Sequence, residues 1–96
     1  MTVQILICLR DQSSSPCDMV VEIEKTFDDE ADLNDTEREE GAFEEFICEV
    51  RRISPERSNL DVYIGWWGNQ STFVIPLDFF RLIVEQNWPV TFDIND

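Results

Sequence analysis

The chain has 96 residues, 43% of them hydrophobic, and a formal net charge of −14 at pH 7. This length fits one small domain and this apolar content is typical of a folding protein, whereas the charge disfavours nucleic acid and anionic membranes as direct partners. The composition therefore predicts a single acidic domain over residues 1–96 that binds neither of them.

Location is predicted from what the sequence lacks. No stretch reaches the roughly 18 apolar residues of a membrane span, and the N-terminus has neither the basic region nor the cleavage site of a signal peptide. Cys8, Cys17 and Cys48 are odd in number and show no disulfide-framework spacing. Reduced thiols and a cytoplasmic location are expected.

The first predicted elements are two strands. Residues 2–10, "TVQILICLR", form a β-rich run that ends at the turn-forming "DQSSSP". In "DMVVEIEKTF", residues 18–27, apolar side chains alternate with glutamates and a threonine from Val21 to Phe27. This alternation predicts a second strand, antiparallel to the first, with one acidic face in water.

A helix is predicted to follow the acidic stretch. Thr36 stands three residues before Glu39, which is the pattern of a capping box. Apolar residues then recur at helical spacing from Phe43 to Ile53, and two arginines occupy the last turn, where positive charge favours the helix dipole. The loop "SPERSN" ends this helix.

The C-terminal part predicts a hairpin, a helix and a strand. Residues 60–67 alternate, "GNQ" supplies a turn, and "STFVI", residues 71–75, would pair back. Pro76 opens a helix in which Leu77, Phe80, Ile83 and Val84 recur as the apolar side, and "PVTFDI" supplies the last strand. The order β-β-α-β-β-α-β predicts an α+β fold with a mainly antiparallel sheet of about five strands and two helices on one face, a ferredoxin-like variant.

Several enzyme classes are excluded by residue types that are absent. Without histidine the chain cannot build Ser-His or Cys-His nucleophilic pairs or histidine-ligated zinc sites. Its three cysteines form no Cys-x-x-Cys pair, and its three glycines form no phosphate-binding loop. Paired carboxylates could hydrolyse glycosides only in a cleft, for which this chain is small. We expect no enzyme activity, no cofactor and no metal.

A calcium loop is weighed separately because oxygen ligands fall at EF-hand positions in residues 28–39. Leu33, however, occupies the position that requires glycine, and the segment before Asp28 predicts a strand where an EF-hand has a helix. The pattern therefore favours incidental contacts with divalent ions over a true site.

Two adjacent tryptophans, Trp66 and Trp67, lie on one predicted strand and must point to opposite sheet faces. The side chain of one of them therefore points away from the core. Two interpretations are open for that tryptophan: another element covers it, or it anchors an interface, where tryptophan is enriched. Trp67 is retained as the candidate anchor.

The acidic residues are concentrated in one third of the chain. Residues 18–49 contain fourteen of the twenty-one acids and only Lys25 and Arg38, so that twelve of the fourteen net negative charges lie there. Like charges one turn apart, such as Glu40 and Glu44, oppose helix formation. A solvated face that aids solubility is one interpretation, but the crowding favours a role in binding.

Carboxylates three and four residues apart on a helix match the charge density of a nucleic-acid strand, which carries one phosphate per roughly 3.4 Å. In size, acidity and lack of catalytic groups the chain resembles small phage-encoded anti-CRISPR inhibitors of the DNA-mimic type, a resemblance of character without a shared motif. It implies a non-catalytic inhibitor of a basic, nucleic-acid-binding effector or nuclease.

Bacterial toxin-immunity proteins, which block basic toxins, are similar in character, and an acidic structural module is the third alternative. The sequence leaves the oligomeric state open. Reversal of Asp61 or Asp93, outside the acidic stretch, is expected to matter little for binding. The predicted partner-binding residues are Asp28, Asp29, Glu30, Asp32, Glu37, Glu40, Glu44, Glu45, Glu49 and Trp67.

Overall fold

The computed structural model describes residues 2–13, 18–28, 37–56, 59–68 and 74–95. Their elements are β1 (Thr2–Asp11), β2 (Asp18–Asp28), α1 (Glu37–Ile53), β3 (Leu60–Trp67), α2 (Leu77–Gln86) and β4 (Val90–Asn95). The predicted α+β class is confirmed, and each of these elements lies close to its predicted bounds.

The sheet is mixed and has the strand order β2-β1-β3-β4. β1 pairs antiparallel with β2 on one side, which confirms the predicted hairpin, and antiparallel with β3 on the other. β3 and β4 run parallel, with Val62 opposite Val90 and Trp66 opposite Ile94. A parallel pair needs a crossover connection, and α2 lies in the segment that supplies it.

The predicted five-strand, ferredoxin-like order is wrong. Of the expected strand at 71–75, Val74 and Ile75 have no regular structure, and residues 71–73 lie outside the described part of the chain. A hairpin partner for β3 has no place in this sheet, because β1 and β4 occupy the two sides of β3. Pro76, as predicted, stands at the start of α2.

Both helices pack on one face of the sheet. The odd-numbered residues of β1 from Val3 to Leu9 are buried there, together with Val21 and Ile23 of β2 and the even-numbered residues of β3. Phe79 of α2 lies between the helices, with its ring centroid 4.9 Å from that of Phe43 and 5.8 Å from that of Phe46. The two helices and one sheet face thus enclose a single apolar core.

The helix α1 has the predicted amphipathic character and carries Arg51 and Arg52 in its last turn. It ends where Ser54 adopts a left-handed conformation and its amide donates to the carbonyl of Val50. Within the described ranges, no helix is both long enough and apolar enough to cross a bilayer.

Candidate interaction surfaces

The predicted partner-binding carboxylates are distributed over α1, the end of β2 and the segment between them. Glu44, Glu45 and Glu49 lie on α1, where Glu44 and Glu45 are exposed and Glu49 is partly exposed. Glu37 and Glu40 belong to the first turn of α1, and Asp28 is the last residue of β2. Asp29, Glu30 and Asp32 lie outside the described residues.

Two of the α1 carboxylates have cationic partners. Lys25 Nζ lies 2.7 Å from Glu45 Oε2, and Arg52 Nη2 lies 2.7 Å from Glu49 Oε2. The Arg52 hydrogen bond lowers the pKa of Glu49. Among the described side chains no Lys or Arg lies within 4 Å of Glu44. The negative charge of α1 is therefore partly compensated at Glu45 and Glu49, whereas Glu44 has no such partner among the described side chains.

β2 adds two carboxylates that were not among the predicted binding residues. Val21 and Ile23 are buried beneath the helices, so the alternation of the strand places Glu22 and Glu24 on the opposite face of the sheet, where both are exposed. The predicted acidic face of this strand is thus confirmed. Acids lie on both faces of the sheet at β2, because Glu45 of α1 contacts Lys25 on the helix side. The described glutamates of β2 and α1 are here called the acidic end: Glu22, Glu24, Glu44, Glu45 and Glu49.

Trp67 does not lie beside the α1 carboxylates. Trp66 is fully buried among the helices, and Trp67 points to the opposite, open face of the sheet, where it is partly exposed. Its ring lies over Gly65, since a Cβ atom at Gly65 would come within 2.5 Å of the indole. Gln4, which pairs with Trp67, donates to Glu24 over 2.6 Å. On the open face, Trp67 is therefore grouped with the β2 acids.

A polar network crosses the open face between β1 and β4. Arg10 donates from Nε and Nη2 to the carboxylate of Asp61, over 3.0 and 2.7 Å, and its guanidinium lies 5.0 Å from the ring centroid of Tyr63. Tyr63 donates its hydroxyl to Asp93 over 2.7 Å. Hydrogen bonding by Arg10 lowers the pKa of Asp61, and the bond to Asp93 raises the pKa of Tyr63.

This network bears on the expectation that reversal of Asp61 or Asp93 would have little effect. Asp61 is only 9% exposed and accepts two hydrogen bonds from the charged Arg10. Reversal of its charge would therefore destabilise the fold. Asp93 is exposed but accepts from Tyr63. Neither aspartate is a neutral reference for net charge.

The two described cysteines differ in their exposure. Cys8 is fully buried, and burial raises the pKa of its thiol to about 11. Cys48 is exposed on α1. The described residues contain no group of three or more side chains that could hold a metal ion. Cys8 is therefore a packing residue that is inert toward electrophiles.

The opposite side of the molecule carries exposed apolar side chains. Contrary to the predicted helix side, α2 buries Phe79 and Leu82 and leaves Leu77, Phe80 and Val84 in water, because apolar residues occupy most of its positions. Phe92 and Ile94 of β4 are also exposed. The exposed fractions of the five side chains of this apolar end are Leu77 63%, Phe80 46%, Val84 79%, Phe92 48% and Ile94 54%.

No known family model, curated protein or solved structure matches this chain. Its function is therefore inferred from its own residues.

Proposed function

We propose that the protein is a non-catalytic inhibitor whose acidic end binds the basic, nucleic-acid-binding groove of a partner protein. The observation that carries the proposal is the placement of exposed glutamates on both faces of the sheet at β2, with Glu22 and Glu24 on one face and Glu45 of α1, whose carboxylate contacts Lys25, on the other. A groove lined by Lys and Arg could close around such an end as it does around a charged nucleic-acid backbone.

The physical effect of this arrangement is mainly on association. Exposed carboxylates near one another produce a potential that extends about one Debye length, roughly 8 Å at physiological salt, and attracts a groove of opposite charge. Such steering raises the association rate and makes binding sensitive to salt. Competition with nucleic acid follows because both ligands need the same cationic groove.

The test is a competition assay with a partner captured from a host lysate. The immobilised chain is incubated with the lysate, bound protein is eluted with DNA or RNA at constant ionic strength, and the purified partner is titrated with labelled nucleic acid and with this chain. We expect mutual displacement. A partner that binds the wild-type chain and its nucleic acid at the same time contradicts the proposal.

The matched pair of variants is Glu44→Lys and Glu56→Lys, which change the net charge equally. Glu44 lies on the acidic end, whereas Glu56 is exposed beyond the C-terminal end of α1. Glu44→Lys should slow association at least tenfold, and Glu56→Lys should change it much less. Equal effects of the two variants on the association rate would show that net charge, and not the position of the acidic end, determines binding, and would contradict the proposal. If the partner is a nuclease toxin, the same contact is that of an immunity protein.

A further inference from the structure

The two edges of the sheet differ in their side chains. The β2 edge carries the exposed charged residues Glu22, Glu24 and Lys25, a common protection against pairing with another strand. The β4 edge carries the exposed apolar residues Phe92 and Ile94. Within the described residues no strand pairs with the outer side of β4.

The backbone of β4 is oriented for further pairing. Pro89 and Asn95 accept hydrogen bonds from Val62 and Gly68, so the odd-numbered residues of this strand direct their backbone groups toward β3. By alternation, Val90, Phe92 and Ile94 direct theirs to the open edge. The N–H and C=O groups of these three residues form a row on which another strand can add.

The side chains at this edge extend the same surface. Phe92 and Ile94 pair with the buried Ile64 and Trp66 and therefore point to the face on which the helices lie. On α2, Leu82 borders α1 beside Val50, which places Phe80 and Val84 on the side turned away from α1. Both groups thus lie at the β4 side of the molecule, away from α1.

The exposed area suits an interface. At roughly 200 Å² for a large apolar side chain, the exposed fractions of the apolar end leave about 580 Å² of apolar surface in water, which is near the upper end for the largest patch on a monomer. A standard interface buries about 800 Å² on each partner. The β4 backbone and the flanking Arg81 and Glu85 can supply the remainder.

We propose that the apolar end binds a second copy of this chain, β4 against β4, to give a continuous eight-stranded sheet. The distribution of charge favours this occupant, because the acidic end lies at the other side of the sheet. The β2 strands of the two copies would be seven strand spacings, about 34 Å, apart, which is several Debye lengths at physiological salt. Arg81 and Glu85 border the α2 part of the patch, and the charge of Arg81 is already balanced by Asp78 of the same helix.

The register follows from side-chain pairing. In an antiparallel pair, directly opposed residues have their side chains on the same face of the sheet. The twofold axis of a β4–β4 dimer must therefore pass through a residue of β4 and not between two residues. An axis at Asp93 would place two carboxylates opposite each other, which is unfavourable. An axis at Phe92 pairs Phe92 with its own copy, Val90 with Ile94, and Thr91 with Asp93. This register pairs the three apolar residues of β4 only with one another, so we place the axis at Phe92. The dimer does not depend on the proposed inhibitory function.

The test is the mass of the native chain by light scattering over a dilution series. We expect twice the chain mass of 11.3 kDa at high concentration and dissociation on dilution. Phe92→Lys and Ile94→Lys should each remain at 11.3 kDa with an unchanged far-ultraviolet circular dichroism spectrum, since both side chains are about half exposed. Met19→Lys, at a 52% exposed apolar position on β2, is the matched control and should dimerise normally.

A wild-type chain that stays at single-chain mass at every concentration would overturn the proposal and leave this face to a different protein. Dimers of both lysine variants with wild-type affinity would also overturn it. The register is tested by disulfide trapping in a background of Cys17→Ser and Cys48→Ser. Phe92→Cys should cross-link between copies, because facing Cα atoms there lie about 5.5 Å apart, whereas Ile94→Cys should cross-link much more slowly. Equal rates would contradict an axis at Phe92.

Discussion

The acidic end and the apolar end of this molecule lie on opposite sides of one four-stranded sheet and are built on opposite principles. At the acidic end, charges crowd together at the cost of mutual repulsion, and cations such as Lys25 compensate only part of it. At the apolar end, Phe80 and Val84 remain in water because α2 packs on the core with its other side, through Phe79 and Leu82. As proposed, the two ends are separate contact surfaces, one acting through charge and one through burial.

The largest expected effect on stability comes from the polar network on the open face between β1 and β4. Arg10→Gln removes two hydrogen bonds from Asp61, which is almost buried, and should lower the free energy of unfolding by about 2 to 3 kcal/mol. Lys25→Gln, in an exposed pair at the acidic end, should cost much less. Urea unfolding of both variants measures the difference.

The pH dependence of the Arg10 variant has a defined sign. The pKa of Asp61 is depressed in the folded chain, so the stability gained from Arg10 is present above the ordinary value of 3.8 and is lost as the pH falls through the folded value. The stability gap between wild type and Arg10→Gln should therefore narrow on acidification below 3.8. A gap that stays constant throughout this range would show that Arg10 acts through packing alone.

Two glycines should respond in opposite directions to alanine. Gly65→Ala would place a Cβ atom 2.5 Å from the Trp67 ring, which should cost about 1 to 3 kcal/mol and displace the indole. Gly41→Ala, in α1 with no atom near the added Cβ, should stabilise the helix by about 1 kcal/mol. Urea unfolding measures the change in stability of both variants, and near-ultraviolet circular dichroism detects the displacement of the Trp67 indole. Destabilisation by Gly41→Ala would contradict the described surroundings of α1.

These predictions rest on a fold of which most elements were predictable. A β-rich apolar run that ends at a turn predicted β1, alternation predicted β2 and β3, and helical spacing predicted α1. Residues 71–75 have strong β propensity, yet Val74 and Ile75 do not form a strand, since the free side of β3 is taken by β4 from elsewhere in the chain. Such long-range competition leaves no local signal.

The candidate surfaces were predictable only in part. The sequence required Trp66 and Trp67 to face opposite ways, but which of them is buried depends on the side on which the helices pack. The Lys25 to Glu45 pair joins residues twenty positions apart and follows from the contact between α1 and β2. In α2 six of the ten residues are apolar and they include the adjacent Phe79 and Phe80, so periodicity did not distinguish which of the two is buried.

The smallest expected effect is electrostatic. Glu44 follows Glu40 by one helical turn, so Glu44→Gln should raise the stability at low salt by about 0.2 to 0.5 kcal/mol and make the melting temperature less dependent on salt. The wild-type melting temperature itself should rise as salt is added. A wild-type midpoint that is constant or falls would contradict repulsion at the acidic end. Thermal melts over a salt series decide this.

The most direct test of two separate surfaces is an amide NMR titration of the labelled chain with an oligolysine peptide, which serves as a probe for a basic groove. Electrostatic attraction predicts shifts at Glu22 and Glu24 of β2 and around Glu44 of α1, with Phe92 and Ile94 of β4 unchanged. Shifts centred on β4, or spread evenly over the chain, would contradict the assignment of cation binding to the acidic end.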